Sequence, residues 1–422
     1  MTDVIVAGAG LAGLTAAKHL AADGRRVRVF EAADQVGGRV RSDRVDGFTL
    51  DRGFQVLFTA YPAVRQELDL EGLDLRPFRP GTVLARPGER TTLSDPLRDP
   101  TAFVASALNR DVTVGDKLRT LKLRRRLTRK SLGEIMDADD TTIEESLRRR
   151  GFSERFRRRF AAPFYGGVTL DRSLSSSRLV FEYTFKMLSE GDIVVPAEGM
   201  GAITQQLAKK AREAGARIDT GRPVDSVSTD GDGVVVGTNA GSFTADAAIV
   251  ATDPESASAL TGCDGIPTDG DGCVTQHFSL PAGEKLDTDR RLILNTADDR
   301  PNTVAPISEV APACAPAGKQ LLSATFLGTP AQSDAELAAT VRETVDSWYP
   351  AHSFAELELL ETHRIPFAQF AQPPGFRETL PAVDDPEGAV YLAGEYTEWS
   401  SIQGAMVSGR NAARTLRRQQ RG

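Results

Sequence analysis

The sequence predicts an α/β fold: a parallel-sheet domain assembled from separate stretches of chain, and a second domain of mixed β-sheet carrying a helical insertion. Three observations predict it. The first forty residues run apolar strand, glycine loop, Ala/Leu-rich helix, strand. The stretch 194–252 adds a helix and several Val/Ile-rich strands. At 390–409 a strand again leads into a helix rich in small residues. A chain of 422 residues accommodates roughly two to three domains and a large core.

Val4-Ile5-Val6-Ala7 is a short apolar run, as expected of a strand buried on both faces. Gly8-Ala9-Gly10-Leu11-Ala12-Gly13 follows and matches G-x-G-x-x-G. Leu14 to Ala22 reads as a helix, with Gly24 as its stop. Val27-Arg28-Val29-Phe30 is a second strand, ending at Glu31, eighteen residues after Gly13. Each residue type has a physical reason. Gly8 permits the tight turn, Gly10 lets backbone approach a pyrophosphate, and Gly13 lets helix and strand pack closely. The helix N-terminus offers free N–H groups and a positive dipole end to phosphate. Glu31 is placed to accept hydrogen bonds from a ribose diol, and its charge would repel a 2′-phosphate. A lone glycine motif is weak evidence, but strand, loop, helix, strand and acid in this order make a Rossmann-like dinucleotide-binding unit.

Val36-Gly37-Gly38-Arg39-Val40-Arg41-Ser42 comes next. Glycines with an arginine supply backbone donors and a fixed cation beside a phosphate or flavin. The run Val4 to Ser42 resembles the FAD-binding signature of the flavin amine oxidase superfamily. That superfamily includes carotenoid (phytoene) desaturases, protoporphyrinogen oxidases and Rab-escort proteins. Phe48-Thr49-Leu50-Asp51-Arg52-Gly53 is similar to the next family block, which leads towards the flavin ring. Val194 to Ile203 (VVPAEGMGAI) looks like the P-x-G-G-M block, with Glu198 in place of the first glycine. Val224 matches the valine whose backbone meets the adenine, and Ala245 to Thr252 resembles the strand returning to the nucleotide domain. Val390 to Glu395, then Ser401 to Gly409, resemble the closing FAD block. Glu395 holds its acidic position beside the ribityl chain. The helix after it aims a positive end at the flavin pyrimidine.

The resemblance implies a discontinuous FAD-binding domain (1–60, 190–255 and 381–422) and a substrate domain (61–189 and 256–380). It implies FAD held without a covalent bond, since no cysteine falls in the closing block. The cofactor-binding residues it implies are Gly8, Ala9, Gly10, Leu11, Ala12, Gly13, Glu31, Ala32, Gly37, Gly38, Arg39, Gly53, Phe54, Gln55, Val224, Gly394, Glu395, Ile402, Gln403 and Ala405. It assigns no catalytic side chain. The family's lysine near the flavin has no match, because Lys285 and Lys319 lack a recognisable context.

Between the motifs, residues 54–190 carry no dinucleotide signal, and Arg- and Leu-rich helical stretches dominate about 101–160. There Leu118, Leu121, Leu123 and Leu127 supply an imperfect apolar stripe. Pro-rich pieces near 301–318 and 366–381 read as loops. Tyr165 and Tyr183 read as core packing, and His277 and His363 as surface or satisfied core residues.

Composition narrows the class. With 40% hydrophobic and 26% charged residues, disorder and collagen-like repeats are disfavoured. Three cysteines without C-x-x-C spacing support neither a disulfide framework nor structural zinc, and fit a reducing, cytoplasmic setting. Four histidines without H-E-x-x-H spacing give no metal site. No apolar run approaches the roughly 18 residues of a transmembrane helix, and the N-terminus does not read as a signal peptide.

Net charge is −7, but residues 116–130 carry +7 and 148–159 carry +6, which leaves −20 elsewhere. An acidic body thus carries one basic region, 116–159. Such a region suits a peripheral anionic membrane contact, or is simply a solvated helical face. Nucleic acid is not expected, since no stacking aromatics interleave the arginines.

The expected function is hydride removal from a substrate C–H to flavin N5. The first expectation is a desaturase or dehydrogenase acting on an apolar, isoprenoid-like small molecule. A flavin amine oxidase acting on a C–N bond is the alternative, and a non-redox prenyl-binding relative of Rab-escort type is a third class. Oxygen or a quinone would take the electrons. Glu31→Ala is expected to weaken FAD binding without unfolding the chain; a titration showing full FAD affinity in that variant would contradict the ribose role.

Overall fold

A computed structural model describes residues 2–419 apart from 96–97, 100, 102–105, 107–108, 232, 285 and 299. Lys285 and part of the 101–160 helical stretch, before the basic region 116–159, therefore lie outside the described residues. The helices that shape the site and its surroundings are α1 (Leu11–Ala22), α2 (Val114–Leu127), α3 (Arg178–Glu190), α4 (Gly201–Glu213) and α5 (Ile402–Gln419).

The first sheet starts with β1 (Thr2–Ala7), whose Val4, Ile5 and Val6 are fully buried. Burial on both faces explains the uninterrupted apolar run. β1 pairs in parallel with β2 (Val27–Phe30), and β2 with β3 (Arg217–Asp219). β4 (Val224–Asp230), β5 (Gly233–Thr238) and β6 (Gly241–Val250) form an antiparallel meander, and the far half of β6 pairs in parallel with β1. The sheet order is β3-β2-β1-β6-β5-β4.

The second sheet is built on β7 (Gly270–Pro281), flanked antiparallel by β8 (Lys319–Leu327) and β9 (Glu358–Phe370). It continues through strands Thr303–Ala305, Leu292–Asn295, Thr82–Arg86 and Glu89–Leu93. The chain then returns to the first sheet, where β10 (Val390–Leu392) pairs in parallel with β6. A three-stranded sheet of Leu57–Phe58, Ile193–Pro196 and Leu75–Pro77 lies between the segments.

Two loop expectations are corrected. The 301–318 piece holds a strand at Thr303–Ala305 and a helical turn at Ile307–Val310. The 366–381 piece begins inside β9 and holds a short turn of helix at Phe376–Glu378. Proline at an edge or at the start of a turn is compatible with both. Beyond residue 60, Ala63, Val64, Leu68, Leu73 and Phe78 are buried in one apolar cluster with Val4, Val6 and Leu14 of the first sheet and its helix and with Ala305 and Leu321 of the second sheet.

α1 sits between α4 and α5 on the first sheet. Small residues permit this approach. A Cβ on Gly409 of α5 would lie 2.2 Å from the Ala12 carbonyl oxygen, and one on Gly13 would lie 2.0 Å from that of Gly8. Gly409→Ala should therefore push α5 off α1 and destabilise the protein by about 1–3 kcal/mol; urea unfolding of the variant checks this, and unchanged stability would refute the close crossing.

Candidate functional site

The glycine loop is held from both sides. The Gly8 amide donates to the Phe30 carbonyl at 2.7 Å, and the Gly37 amide to that of Ala9 at 2.9 Å. Gly8 has φ +102, and a Cβ there would lie 2.5 Å from the Ala251 carbonyl oxygen. Gly10 is different: a Cβ on it would meet nothing within 4 Å. The loop is thus closed where Gly8 and Gly13 pack and open at Gly10. Gly38 has φ +58, and a Cβ on it would lie 3.4 Å from the Gly10 Cα. The two glycine motifs, separated by 23 residues of chain, line one cradle with Ala9, Leu11, Ala12 and Gly37.

Glu31 ends β2 beside this cradle. Its carboxylate accepts from the amides of Ala9, at 2.7 Å, and Ala33, at 2.9 Å. It therefore organises the loop as well as facing it. The carbonyls of Glu31 and Ala33 accept from the Arg222 and Gly221 amides, both at 2.7 Å, which ties the turn before Val224 to the end of β2, where Ala32 is exposed. Each carboxylate oxygen has a second lone pair, so the two amides leave acceptor capacity for a diol.

At the other end, Arg39 ion-pairs with Glu395 and donates to the Ala368 carbonyl at 2.9 Å. Burial opposes the Arg39 charge, and the Glu395 carboxylate more than offsets this, so its pKa lies above the usual value. Gln55 donates to the Arg39 carbonyl at 2.8 Å, which ties the 53–55 turn to the Gly-Gly-Arg loop. Phe54 packs edge-on against Phe78, and a Cβ on Gly53 would meet Ile365 of β9 at 2.9 Å. Before α5, the Ser401 hydroxyl accepts from the Gly404 amide at 2.8 Å and caps the helix. Ile402 and Ala405 lie in its first turn. The Gln403 side chain is buried and its Oε1 accepts from the Ala63 amide at 2.8 Å, which fixes the orientation of the side-chain amide and leaves its NH2 group as a donor. The Gly394 amide donates to Ser408 at 2.9 Å, which fixes Glu395 to α5.

The structure adds groups that the motifs did not assign. Histidines 277 and 363 are not surface residues. Their rings lie 5.2 Å apart and both contact the Asp51 carbonyl, His277 Nε2 at 3.0 Å and His363 Nδ1 at 3.3 Å. Nε2–H of His277 donates there, and its buried Nδ1 has no protein partner among the described residues. Burial, helped by His363, pushes His277 down to about 3. Burial also raises the Asp51 carboxyl to about 6, against hydrogen bonds from the Ser42 hydroxyl and Met200 amide. Thr275 and Thr325 are directly paired across β7 and β8, as are His277 and Ser323. These four share one sheet face by the period of two. All are buried, and none of the three hydroxyls has a partner among the described residues.

A cavity of about 40 Å³ adjoins the closing block. Tyr61, Met136, Val168, Val180, Tyr183 and Trp399 wall it, with Ser400 and Ser401 at its edge. Tyr183 is a core residue, as expected, and also walls this cavity: it stacks on Tyr61, meets Trp399 edge-on, and keeps its buried hydroxyl without a partner among the described residues. Tyr165 is a core residue, edge-on to Phe181. A wider groove of about 640 Å³ runs along α4, but it is lined by both charge signs and by no residue of the glycine loop. No sequence signal marks Tyr61, Tyr183 or Trp399 jointly, because each lies on a different element.

The residues fit FAD: an open cradle of backbone donors, an acceptor-rich acid at one end, and a charge pair with a capped helix at the other. A family model described as flavin containing amine oxidoreductase matches residues 11–417. The chain is 30% identical over 258 residues to the zeta-carotene-forming phytoene desaturase of Myxococcus xanthus, covering 54% of this chain and 48% of that one. It is 51% identical over 72 residues to the putrescine oxidase of Kocuria rosea, covering 16% and 15%. These alignments thus span at most about half of either relative. The solved structure of an oxidoreductase from Methanosarcina mazei superposes with a TM-score of 0.75 at 18% identity over 98% of this chain and all of that one, a likeness in fold.

The depressed His277 pKa implies a stability contribution present above pH 6.5 and lost as pH falls towards about 3. His277→Asn should flatten that loss by up to about 1.4 kcal/mol per pH unit. Thermal melts of both proteins between pH 7 and 5 check this; parallel curves would count against a neutral buried imidazole.

Proposed function

The chain belongs to the flavin-containing amine oxidoreductase family and is an FAD-dependent oxidoreductase, and from this premise we propose that it dehydrogenates a C–H bond in a substrate with an apolar body. The carrying observation is the cavity beside the closing block. Aromatic and aliphatic side chains make most of its lining, with Thr184, Gln372, Ser400 and Ser401 as neutral polar members, and it holds no carboxylate to pair with a cationic amine. When bound, FAD supplies the hydride acceptor. The protein's part is to bind, orient and exclude water. Val168, Val180 and Met136 would meet an apolar group of the substrate; the cavity of about 40 Å³ takes no more than a methyl-sized part of it. Arg39 with Glu395, and the capped start of α5, would fix the polar end of the cofactor against it.

The band of Thr275, Ser323, Thr325 and His277 Nδ1 refines the substrate. A pure hydrocarbon against this face would leave the hydroxyls unpaired, at about 1–3 kcal/mol each. A substrate carrying one hydroxyl or carbonyl group on an apolar chain suits it better. The Asp51 carboxyl does not supply a general base in ionised form at low pH, since burial holds it up at about 6. We also read FAD as non-covalent. Burial pushes the Cys273 thiol up to about 11 and that of Cys314 up to about 12, which keeps both from acting as thiolate nucleophiles.

A second reading, oxidation of an amine, is favoured by one observation. Tyr61, Tyr183 and Trp399 converge from three elements beside Ser400, and aromatic faces attract cations. Mixing the holoenzyme without oxygen with an isoprenoid alcohol in detergent, or with aliphatic amines, separates the two. Loss of the oxidised flavin spectrum with the alcohol alone is expected. Bleaching by the amines alone would replace the first reading with the second.

A further inference from the structure

α2 carries a surface that the flavin chemistry does not use. Among the described residues, three large apolar side chains stand out in solvent, and all three are on this helix: Val114 at 71%, Leu118 at 63% and Leu121 at 43% exposed. They recur at i, i+4 and i+7 and so form one stripe. Leu123 and Leu127, on the opposite side, are buried. The expected imperfect stripe of leucines is therefore two stripes, one anchoring the helix and one facing out.

The same outward face continues into cations. Lys122, Arg125, Arg126 and Arg129 are exposed, and none has an ion-pair partner among the described residues. The helix has one carboxylate, Asp116, and it is fully buried, accepting from the Ser153 amide at 2.8 Å and from the Ser153 and Thr113 hydroxyls. No acidic group on α2 offsets the outward charge. The neighbouring arginines 148, 149 and 158 are exposed but partly neutralised by Glu145 and Glu154. The helix is preformed: Thr113 and Asp116 make a reciprocal cap, and Arg124 pairs with Asp95 on its inner side.

We propose that α2 is a docking surface for an anionic lipid membrane, lying in the interface with Val114, Leu118 and Leu121 inserted and Lys122, Arg125, Arg126 and Arg129 on the headgroups. An apolar stripe alone would suit any apolar partner. Unpaired cations on the same face, without a carboxylate, select an anionic surface by charge complementarity. No helix among the described residues is long and apolar enough to cross a membrane, so the contact is peripheral. α2 packs on α3, which carries Val180 and Tyr183 of the cavity, but the docking stands whatever the substrate is.

The test is co-sedimentation of the FAD-loaded protein with vesicles of phosphatidylcholine alone, or with 30% phosphatidylglycerol, at about 0.1 and 0.5 M salt. The protein should pellet with the anionic vesicles only, and less at high salt. Leu118→Ser with Leu121→Ser should lower partitioning at least about tenfold. Lys122→Ala with Arg125→Ala and Arg126→Ala should lower it by roughly fivefold per charge. An unchanged flavin spectrum in both variants shows that the fold is kept. Equal pelleting with neutral and anionic vesicles, or none with either, overturns the proposal. So does a concentration-dependent dimer that the serine variant abolishes without any lipid binding, which would make the face a contact between copies.

Discussion

The site depends on bringing bare backbone against a charged, bulky cofactor without losing the packing around it. Gly8 and Gly13 solve the packing half, since either Cβ would strike backbone within 2.5 Å. Gly10 solves the other half by leaving the cradle open. Around this loop the fold is crowded: α1 is pinned between α4 and α5 at glycine and alanine contacts, and Glu31 holds the loop by two amides. A site of this kind tolerates little adjustment, because close-packed backbone cannot relax as a flexible side chain can.

The second constraint is electrostatic. Arg39 and Glu395 come from opposite ends of the chain and meet at the junction of the sheets. Each lies where an isolated charge would be costly, and pairing reduces that cost. A few residues away, the Asp51 carbonyl receives two histidines from the second sheet. The two domains are therefore joined through backbone acceptors as well as apolar contact. The hydroxyls of Thr275, Ser323 and Thr325 on the second sheet sit on the same face as His277.

Much of this site was legible in local sequence. Strand, loop and helix of the nucleotide unit follow from glycine spacing and short-range apolar pattern, and β1, α1 and β2 occupy nearly the expected residues. Gln403 shows the limit. Its motif position says that a ligand is near, but the orientation of its side-chain amide is set by the Ala63 amide, a partner 340 residues away. Tyr183 shows the same limit from the other side, because its helix reads as ordinary core until Trp399 and Tyr61 are brought to it.

The sequence by itself determined the nucleotide-binding unit, the FAD family and the uneven distribution of charge, since these rest on local spacing and composition. Tertiary structure decided which leucines of α2 face out, which histidines are buried, and which aromatic side chains share a cavity. Those outcomes depend on the direction in which each element is packed. A single helix can offer two apolar stripes, and only its neighbours determine which one is covered.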